Sequence, residues 1–340
     1  MQTKWLVRAL GAAVTAATVC AGTATAAGAA TLNGAGSTLV APLEQEWAAG
    51  FDAANSGTTV NYQAVGSGKG LAEIGAGQVD FGGSDAPLSA STTPCNGCSQ
   101  MPWALTATGV GFHINGLRHL HLTGPVLAEI YLGQITRWND HRIQKLQKKG
   151  VHLPSLPITV FFRSDGSGDT YAFADYLSSV SGTFKSQVGR GTKVSFPTGQ
   201  GANGNAGMVA ALQSTNGGIA YVAVSYLAAN WPRAAAIKNA AGNYVTPNYT
   251  NIQSAAQSVS ALGSNNEVHL VNPPSRYKNA YVISTYTYVI AKDGQPNNGL
   301  LKNFIKYAIT TGQSFGPRLD FVPLPGFVVS DDESTLNNVH

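Results

Sequence analysis

The sequence predicts a two-lobed α/β protein, because short apolar strands alternate with glycine-rich loops and amphipathic helices along most of its 340 residues. Residues 30–38, 58–70 and 158–170 each combine a strand, a Gly/Ser/Thr loop and the start of a helix. In α/β sheets, ligands bind at the loops that leave the carboxyl ends of strands. The third loop is far from the first two along the chain. One small ligand that contacts all three therefore requires two lobes facing a cleft.

The first segment predicts a strand at residues 30–33, the loop GAGST at residues 34–38 and then a helix. Pro42 lies in the first turn of that helix, where a proline has no hydrogen bond to lose. The apolar residues that follow recur at helical spacing and predict one buried face, made by Leu43, Trp47 and Phe51.

The second segment predicts an alternating strand at residues 58–64, followed by the loop GSGKG at residues 66–70. The loop superficially resembles a P-loop. Its spacing excludes one, because Gln63 stands where the first glycine is required and Gly70 replaces the Ser or Thr that would hold magnesium.

The third segment contains the loop RSDGSGDT at residues 163–170, between an apolar strand at residues 158–162 and a helical pattern. The backbone N–H groups and the positive dipole end of a helix start favour an anion. Arg163 adds a planar fork of donors to the same place. Asp165 and Asp169 are unexpected beside an anion, and their roles bear directly on the function.

Further elements follow the same pattern. A fourth glycine-rich stretch at residues 199–207 leads into helical spacing, and residues 79–87 predict a short strand that ends in a polar loop. Residues 218–222 and 280–291 predict strands, and residues 300–308 an amphipathic helix. The acidic residues 331–333 predict a solvated tail.

Composition argues for binding without turnover. The net charge is +4, and no Lys/Arg run is longer than Lys148-Lys149, which argues against nucleic-acid binding. Neither Ser84 nor Ser167 fits the G-x-S-x-G pattern of a nucleophile elbow, because Ser84 has Ala86 where the second glycine is needed and Ser167 has Asp165 in place of the first. The seven histidines form no triad or ligand pattern, so we expect no metal, no cofactor and no catalytic residues.

The N-terminus has the pattern of a secretory signal, with a basic start, a small apolar run and the A-x-A site Ala24-Thr25-Ala26. We expect residues 1–26 to be removed, and this cleaved signal is favoured over a lipid anchor at Cys20. The mature chain would then be periplasmic, extracellular or at the cell surface. Beyond the signal, no segment approaches the ~20 apolar residues that span a bilayer.

In that oxidising setting, Cys95 and Cys98 predict a local disulfide that pins a loop. Pro94 and Asn96-Gly97 favour a turn rather than the helix start of a redox C-x-x-C pair. Half a zinc site is the other alternative, and it lacks nearby partner ligands.

Six motifs together resemble those of the secreted phosphate-binding proteins of bacterial ABC phosphate importers, in that family's order. They are residues 34–38 (GAGST), 66–68 (GSG), 80–88 (DFGGSDAPL), 130–133 (IYLG), 138–140 (WND) and 163–168 (RSDGSG). The resemblance covers nearly all of the predicted mature chain. It implies a periplasmic-binding-protein-like (type II) fold that closes over inorganic phosphate in a cleft between the lobes. It also implies a monomer that delivers phosphate to the permease and ATPase subunits of an importer.

The predicted crossings between the lobes divide the chain into lobe I, residues 27–112 and 278–340, and lobe II, residues 113–277. Other functions remain open: a binder of sulfate or molybdate, a phosphate-scavenging surface protein, or a phosphatase-like enzyme.

The resemblance also implies the phosphate-binding residues Ser37, Thr38, Leu39, Ser67, Asp85, Arg163, Ser167, Gly168 and Asp169. Thr38 and Ser67 would donate hydroxyl groups, and Asp85 would accept a hydrogen bond from a protonated phosphate oxygen. Asp165 would hold Arg163 in place. Asp169 stands where many members carry Thr. It would act as a second acceptor, stay protonated, or turn away to pair with Arg163, and the sequence does not choose among these.

Overall fold

The computed structural model describes residues 30–90, 95–229 and 233–340. The predicted signal at residues 1–26 and the anchor alternative at Cys20 lie outside the described residues. Within the described ranges, the strands are β1 (Ala30–Gly36), β2 (Thr58–Ala64), β3 (Phe81–Ser84), β4 (Cys98–His113), β5 (His121–Thr123), β6 (Thr159–Arg163), β7 (Gln200–Ala202), β8 (Gly218–Ala223), β9 (Arg233–Ala234), β10 (Ala236–Lys238), β11 (Tyr244–Val245) and β12 (Ser284–Lys292).

The helices of the same ranges are α1 (Ala41–Ala54), α2 (Ser67–Gly75), α3 (Gly124–Tyr131), α4 (His141–Gln144), α5 (Gly168–Val180), α6 (Gly182–Gln187), α7 (Gly204–Ser214), α8 (Val224–Ala229), α9 (Tyr249–Ala256), α10 (Asn298–Ile309) and α11 (Gly326–Asn337). None of the helices in the described part of the chain is both long and apolar enough to cross a membrane.

One continuous sheet joins both halves of the molecule, in the strand order β2-β1-β3-β12-β4-β8-β6-β7, with β9 also paired to β4. The long strand β4 changes partner along its length: Ala107 is the last residue opposite β12, and Thr108 is the first opposite β8. We call the half with β1, β2, β3 and β12 lobe I and the half with β6, β7 and β8 lobe II. The two-lobed α/β fold predicted from the sequence is confirmed, and the predicted crossings near residues 112 and 277 stay predictions.

The strand β4 is not predicted from the sequence. It is buried almost throughout, so it lacks the alternation that marks a half-exposed strand. Two glycines let it pass beneath helices of lobe II. A Cβ atom on Gly109 would lie 2.6 Å from Leu227, and one on Gly111 would lie 2.8 Å from Leu212.

Several predicted elements agree with the structure. The strand β2 spans the predicted residues, and Pro42 lies in the first turn of α1, whose predicted face is buried. The predicted disulfide between Cys95 and Cys98 is confirmed.

The strand predicted at residues 280–291 begins only at Ser284. The four residues before it are buried but bond elsewhere. Tyr281 N donates to Asn251 O at 3.0 Å, and Ile283 O accepts from Thr108 N at 3.0 Å. These apolar residues are therefore buried between α9 and β4 without belonging to the strand.

The predicted solvated tail at residues 331–333 is wrong, because these residues belong to α11. Asp332 is fully buried, and its carboxyl oxygens have no hydrogen-bond partner among the residues that the structure describes. Burial, with a smaller effect of Asp331, raises the pKa of Asp332 to about 9. The run of three acids predicted a segment exposed to solvent, whereas the packing of this helix buries one of the acids in the core.

Candidate functional site

One wall of the site is built in lobe I, where β1 and β3 end. The two strands are parallel neighbours with Gly36 opposite Gly83, so the residues that follow them leave the sheet at the same edge. Ser37 and Asp85 therefore meet, and the hydroxyl of Ser37 donates to Oδ1 of Asp85 at 2.5 Å. Both side chains are buried.

Ser67, the first residue of α2, adds a second hydroxyl to this wall. Its Oγ accepts from the backbone N–H of Asp85 at 3.2 Å and lies 3.4 Å from Oδ2 of the same residue. It also accepts the backbone N–H of Gly168 of lobe II at 3.1 Å. Ser67 therefore contacts both lobes at once.

The turn after β1 is fixed by its own hydrogen bonds. The backbone N–H of Leu39 donates to Oγ of Ser37 at 3.0 Å, and the Leu39 side chain is fully buried in the core. Thr38 points toward lobe II, where its Oγ1 accepts from the amide of Asn205 at 2.9 Å.

The opposite wall belongs to lobe II, where β6 ends at Arg163 and α5 begins at Gly168. Ser167 caps the helix, because its side chain accepts the backbone N–H of Thr170 at 3.3 Å. The N–H of Gly168, in the first turn of this helix, donates across to Ser67 of the lobe I wall.

Arg163 is 4% exposed and is held by two acids. Its Nε donates to Oδ1 of Asp165 at 2.7 Å, and one terminal nitrogen (Nη2) donates to Oδ2 of Asp165. The other (Nη1) donates to Oδ2 of Asp169 at 2.9 Å. The guanidinium is thus locked in one plane by a bidentate pair and a second carboxylate.

Asp169 is fully buried among three donors. Thr108 donates to its Oδ1 at 2.8 Å, while Asn205 donates to its Oδ2 at 2.8 Å beside Arg163. Of the three alternatives that the sequence left open for this residue, this structure contains the pairing with Arg163.

Glycines allow the two walls to touch through their backbones. The N–H of Gly68 donates to Gly166 O at 3.0 Å. A Cβ atom on Gly168 would lie 2.4 Å from Cβ of Asp85, and one on Gly66, which has a φ of +91°, would lie 2.4 Å from Oδ2 of Asp165. A side chain at either position would push the lobes apart.

Comparison with known proteins identifies the family. The family model of the PBP superfamily domain matches residues 21–311. The phosphate-binding protein PstS of Xylella fastidiosa (strain Temecula1) is 36% identical over 309 residues, 89% of this chain and 84% of the relative. This chain belongs to the PstS family of phosphate-binding proteins. The phosphate-binding protein PstS 3 of Mycobacterium leprae is 35% identical over 314 residues, covering 87% of this chain and 83% of the relative.

A solved structure supports the PstS fold. A high-affinity periplasmic phosphate-binding protein (PfluDING), bound with phosphate at pH 8.5, superposes with a TM-score of 0.69. The alignment covers 89% of this chain and 93% of that one, at 21% identity, so it supports the fold alone.

The pKa values of the acids in this PstS-family site shift in different directions. Burial, then the charge of Asp169, raises the pKa of Asp85 to about 7, against the opposing effects of Ser37 and Arg163. Burial also raises the pKa of Asp169, while Arg163, Thr108 and Asn205 oppose that rise. Burial alone would raise the pKa of Asp165, but its hydrogen bond and charge contact with Arg163 lower it.

The predicted site residues of this family member lie together at the junction of the lobes, but two further residues are not predicted. Thr108 comes from β4, the strand without a sequence signal. Asn205 follows the fourth glycine-rich stretch, which has the correct strand–loop–helix pattern. Parallel pairing of β6 with β7 sets Arg163 opposite Ala202 and so brings this loop to the same edge.

A second contact joins the lobes outside the site. His269 Nε2 lies 2.7 Å from Oδ2 of Asp175 on α5, and Arg190 pairs with Oδ1 of the same acid at 3.1 Å. The chain around His269 is anchored to lobe I, because Val268 N donates to the hydroxyl of Tyr288 in β12 at 3.0 Å. The hydrogen bond to Asp175 is the largest influence that raises the pKa of His269.

Proposed function

We propose that this chain is an exported receptor that binds inorganic phosphate between its lobes and presents it to the permease and ATPase subunits of an ABC importer. The observation that carries the proposal is that two different buried walls face each other. The lobe II wall presents the fixed guanidinium of Arg163 and the start of α5. The lobe I wall presents serine hydroxyls and the carboxyl group of Asp85. Membership of the PstS family supports it.

Arg163 has N–H groups left over that can bind an oxyanion. A guanidinium has five N–H donors. Three of them are used by Asp165 and Asp169, which leaves one on each terminal nitrogen. Each of those two remaining donors can donate to an oxygen of a phosphate group. Asp165 therefore orients the fork.

Asp85 supplies the selectivity. Phosphate at neutral pH always carries at least one O–H group, whereas sulfate carries none. An ionised Asp85 accepts a hydrogen bond from phosphate but faces only lone pairs on sulfate. Such a mismatch in a buried site costs about 1–3 kcal/mol or more, or about 10–100-fold in affinity.

The remaining proposed contacts are donors. Thr38 and Ser67 donate hydroxyl groups, Leu39 and Gly168 donate backbone N–H groups, and Ser37 and Ser167 stabilise the two turns that present them. In this structure the N–H of Leu39 is bonded to Ser37 and that of Gly168 to Ser67. We therefore infer that these turns exchange internal bonds for ligand bonds when phosphate enters.

Calorimetric titration with phosphate, arsenate and sulfate at pH 6 and pH 8.5 tests the proposal. We expect phosphate and arsenate to bind with similar affinity. Sulfate should bind far more weakly at pH 8.5, where Asp85 is ionised, and the gap should be smaller at pH 6, below the Asp85 pKa of about 7. The isosteric variant Asp85→Asn keeps the volume of the site and should narrow the gap between phosphate and sulfate about 10–100-fold. Binding of sulfate as tightly as phosphate by the wild-type protein would contradict the proposal.

Delivery to a permease requires that the lobes open and close. Solution scattering should show the mass of a monomer. We expect its radius of gyration to be smaller with phosphate than without it. Equal radii, or a molecular mass of more than one chain, would contradict this part of the proposal.

A further inference from the structure

We propose that Asn205 is a positioning residue of the phosphate site, which makes the Thr38 hydroxyl an obligate donor to the ligand and occupies one oxygen of Asp169. The inference rests on the proposed function and deepens it, because it names a residue outside the predicted ligand set. Asn205 is the second residue of α7 and is fully buried.

The orientation of the Asn205 amide is fixed by the backbone. Its Oδ1 accepts the N–H of Ala223, at the end of β8, at 2.8 Å. Since a backbone N–H only donates, this side of the amide is the oxygen, and the NH2 group faces the opposite way. That group is directed at Thr38 and Asp169, at 2.9 Å and 2.8 Å.

The two lone pairs of the Thr38 oxygen are thereby engaged. The side-chain NH2 of Asn205 donates to Oγ1 at 2.9 Å, and its backbone N–H lies 3.4 Å from the same atom. A hydroxyl has two acceptor positions and one proton. The proton of Thr38 therefore has to point elsewhere, and within the described chain the Thr38 hydroxyl donates no hydrogen bond. It is available to a ligand oxygen in the cleft.

Asn205 also limits what Asp169 can do. Oδ2 of Asp169 already accepts from both Asn205 and Arg163, so its lone pairs are used. Oδ1 accepts from Thr108 and keeps one position. Asp169 can therefore accept at most one ligand proton, and only through Oδ1.

The same amide bridges the lobes. Thr38 follows β1 of lobe I, whereas Asn205 and Asp169 belong to lobe II. The bond between Asn205 and Thr38 can form only when the lobes are together. Asn205 thus links closure to the direction in which Thr38 donates.

The variant Asn205→Asp tests the inference in the full chain. The introduced carboxyl keeps the size of the side chain and its bond to Ala223. When ionised, its second oxygen faces Asp169 and draws the Thr38 proton away from the cleft. We expect the affinity for phosphate to fall at least about 100-fold relative to wild type at pH 8. At pH 5 a protonated carboxyl again donates to Asp169, so the ratio to wild type should recover about tenfold or more.

A merely structural role would not give this recovery at low pH. Asn203→Asp is the matched control, because it makes the same change on an exposed residue two positions earlier. We expect it to bind like wild type at both pH values. Asn205→Ala and Thr38→Val, alone and together, complete the test: a shared mechanism predicts that their effects on affinity are not additive.

The outcomes separate the two proposals. If wild-type protein binds no phosphate, the proposed function fails and the inference fails with it. If wild type binds phosphate and Asn205→Asp binds equally well at pH 8, the inference alone is overturned. An equal loss at pH 5 and pH 8, or additive effects of Asn205→Ala and Thr38→Val, would also overturn it.

Discussion

The two walls of the cleft use different chemistry. The lobe I wall presents the hydroxyls of Ser37 and Ser67 around Asp85, whose pKa is raised to about 7 by burial. The lobe II wall presents Arg163, held rigid by two carboxylates. The acceptor groups and the fixed cation of the candidate site are therefore separated in space. In the proposed function, the lobe I wall would recognise the protons of phosphate, and the lobe II wall would supply fixed charge and geometry.

Replacing Arg163 in the lobe II wall should change stability and phosphate affinity more than any other substitution considered. Arg163→Met leaves Asp165 and Asp169 without their partner in a buried site. It should destabilise the protein by about 3–5 kcal/mol and remove phosphate binding. Arg163→Lys keeps the charge but not the planar fork, so it should retain more stability and still lose about 100-fold in affinity. Thermal unfolding and calorimetry measure the two effects. Wild-type affinity in Arg163→Lys would show that the fork is not needed.

A substitution at the contact between the two walls should have the next largest effect. Gly168→Ala places a Cβ atom 2.4 Å from Cβ of Asp85, so the lobes should close incompletely. We expect about a tenfold to 100-fold loss of affinity and a larger radius of gyration with phosphate present. Gly182→Ala is the control, because no atom lies within 4 Å of its added Cβ. A Gly168→Ala variant that compacts normally would show that the walls meet elsewhere.

A smaller effect is expected from the contact outside the walls. His269 pairs with Asp175 across the lobes, with Arg190 and Glu267 also facing it. Because its folded pKa is raised, the charged contact is complete below about pH 6.5 and is lost as pH rises through the raised value.

His269→Ala should therefore weaken phosphate binding a few-fold at pH 6 and less at pH 9. Titrations at both pH values, with exposed His152→Ala as control, measure this. A loss that is the same at both pH values would contradict an ionic link.

The smallest expected effect on binding comes from Asp332, a buried acid of α11 that belongs to neither wall. The pKa of Asp332 is about 9 in the folded protein, whereas an unfolded Asp releases its proton near pH 4. Folding therefore takes up a proton between these pH values, and the stability of the protein falls as the pH rises through that range. Asp332→Asn should stabilise the protein by about 1–3 kcal/mol at pH 8.5, with little change at pH 4 and unchanged affinity.

Exposed Asp331→Asn is the control for Asp332→Asn. Altered phosphate affinity in Asp332→Asn alone would show that acids outside the cleft also affect the ligand.

Local patterns in the sequence predicted much of this arrangement. The strand–loop–helix segments placed Ser37, Ser67 and Arg163 at loops that the structure does bring together, because parallel neighbouring strands end at one edge of a sheet. Thr108 had no such signal, since its strand is buried on both faces and shows no alternation. Asn205 lay in a recognised loop, but its role depends on an amide orientation fixed by Ala223, 18 residues later.

The acidic residues of α11 show where a local sequence pattern gives a wrong prediction. Three adjacent acids indicated solvent by charge alone, yet the helical repeat turns Asp332 inward. Its burial depends on what packs against the helix, and a short sequence window does not contain that information.

The excess of acids around Arg163 has a consequence for ionic strength. One guanidinium is surrounded by three carboxyls, Asp85, Asp165 and Asp169, so the cleft does not present a net positive field to an approaching anion. Binding then depends on short hydrogen bonds in a buried site rather than on long-range attraction, which dissolved ions would screen. A receptor of this design should capture phosphate almost equally well in dilute and in salty surroundings.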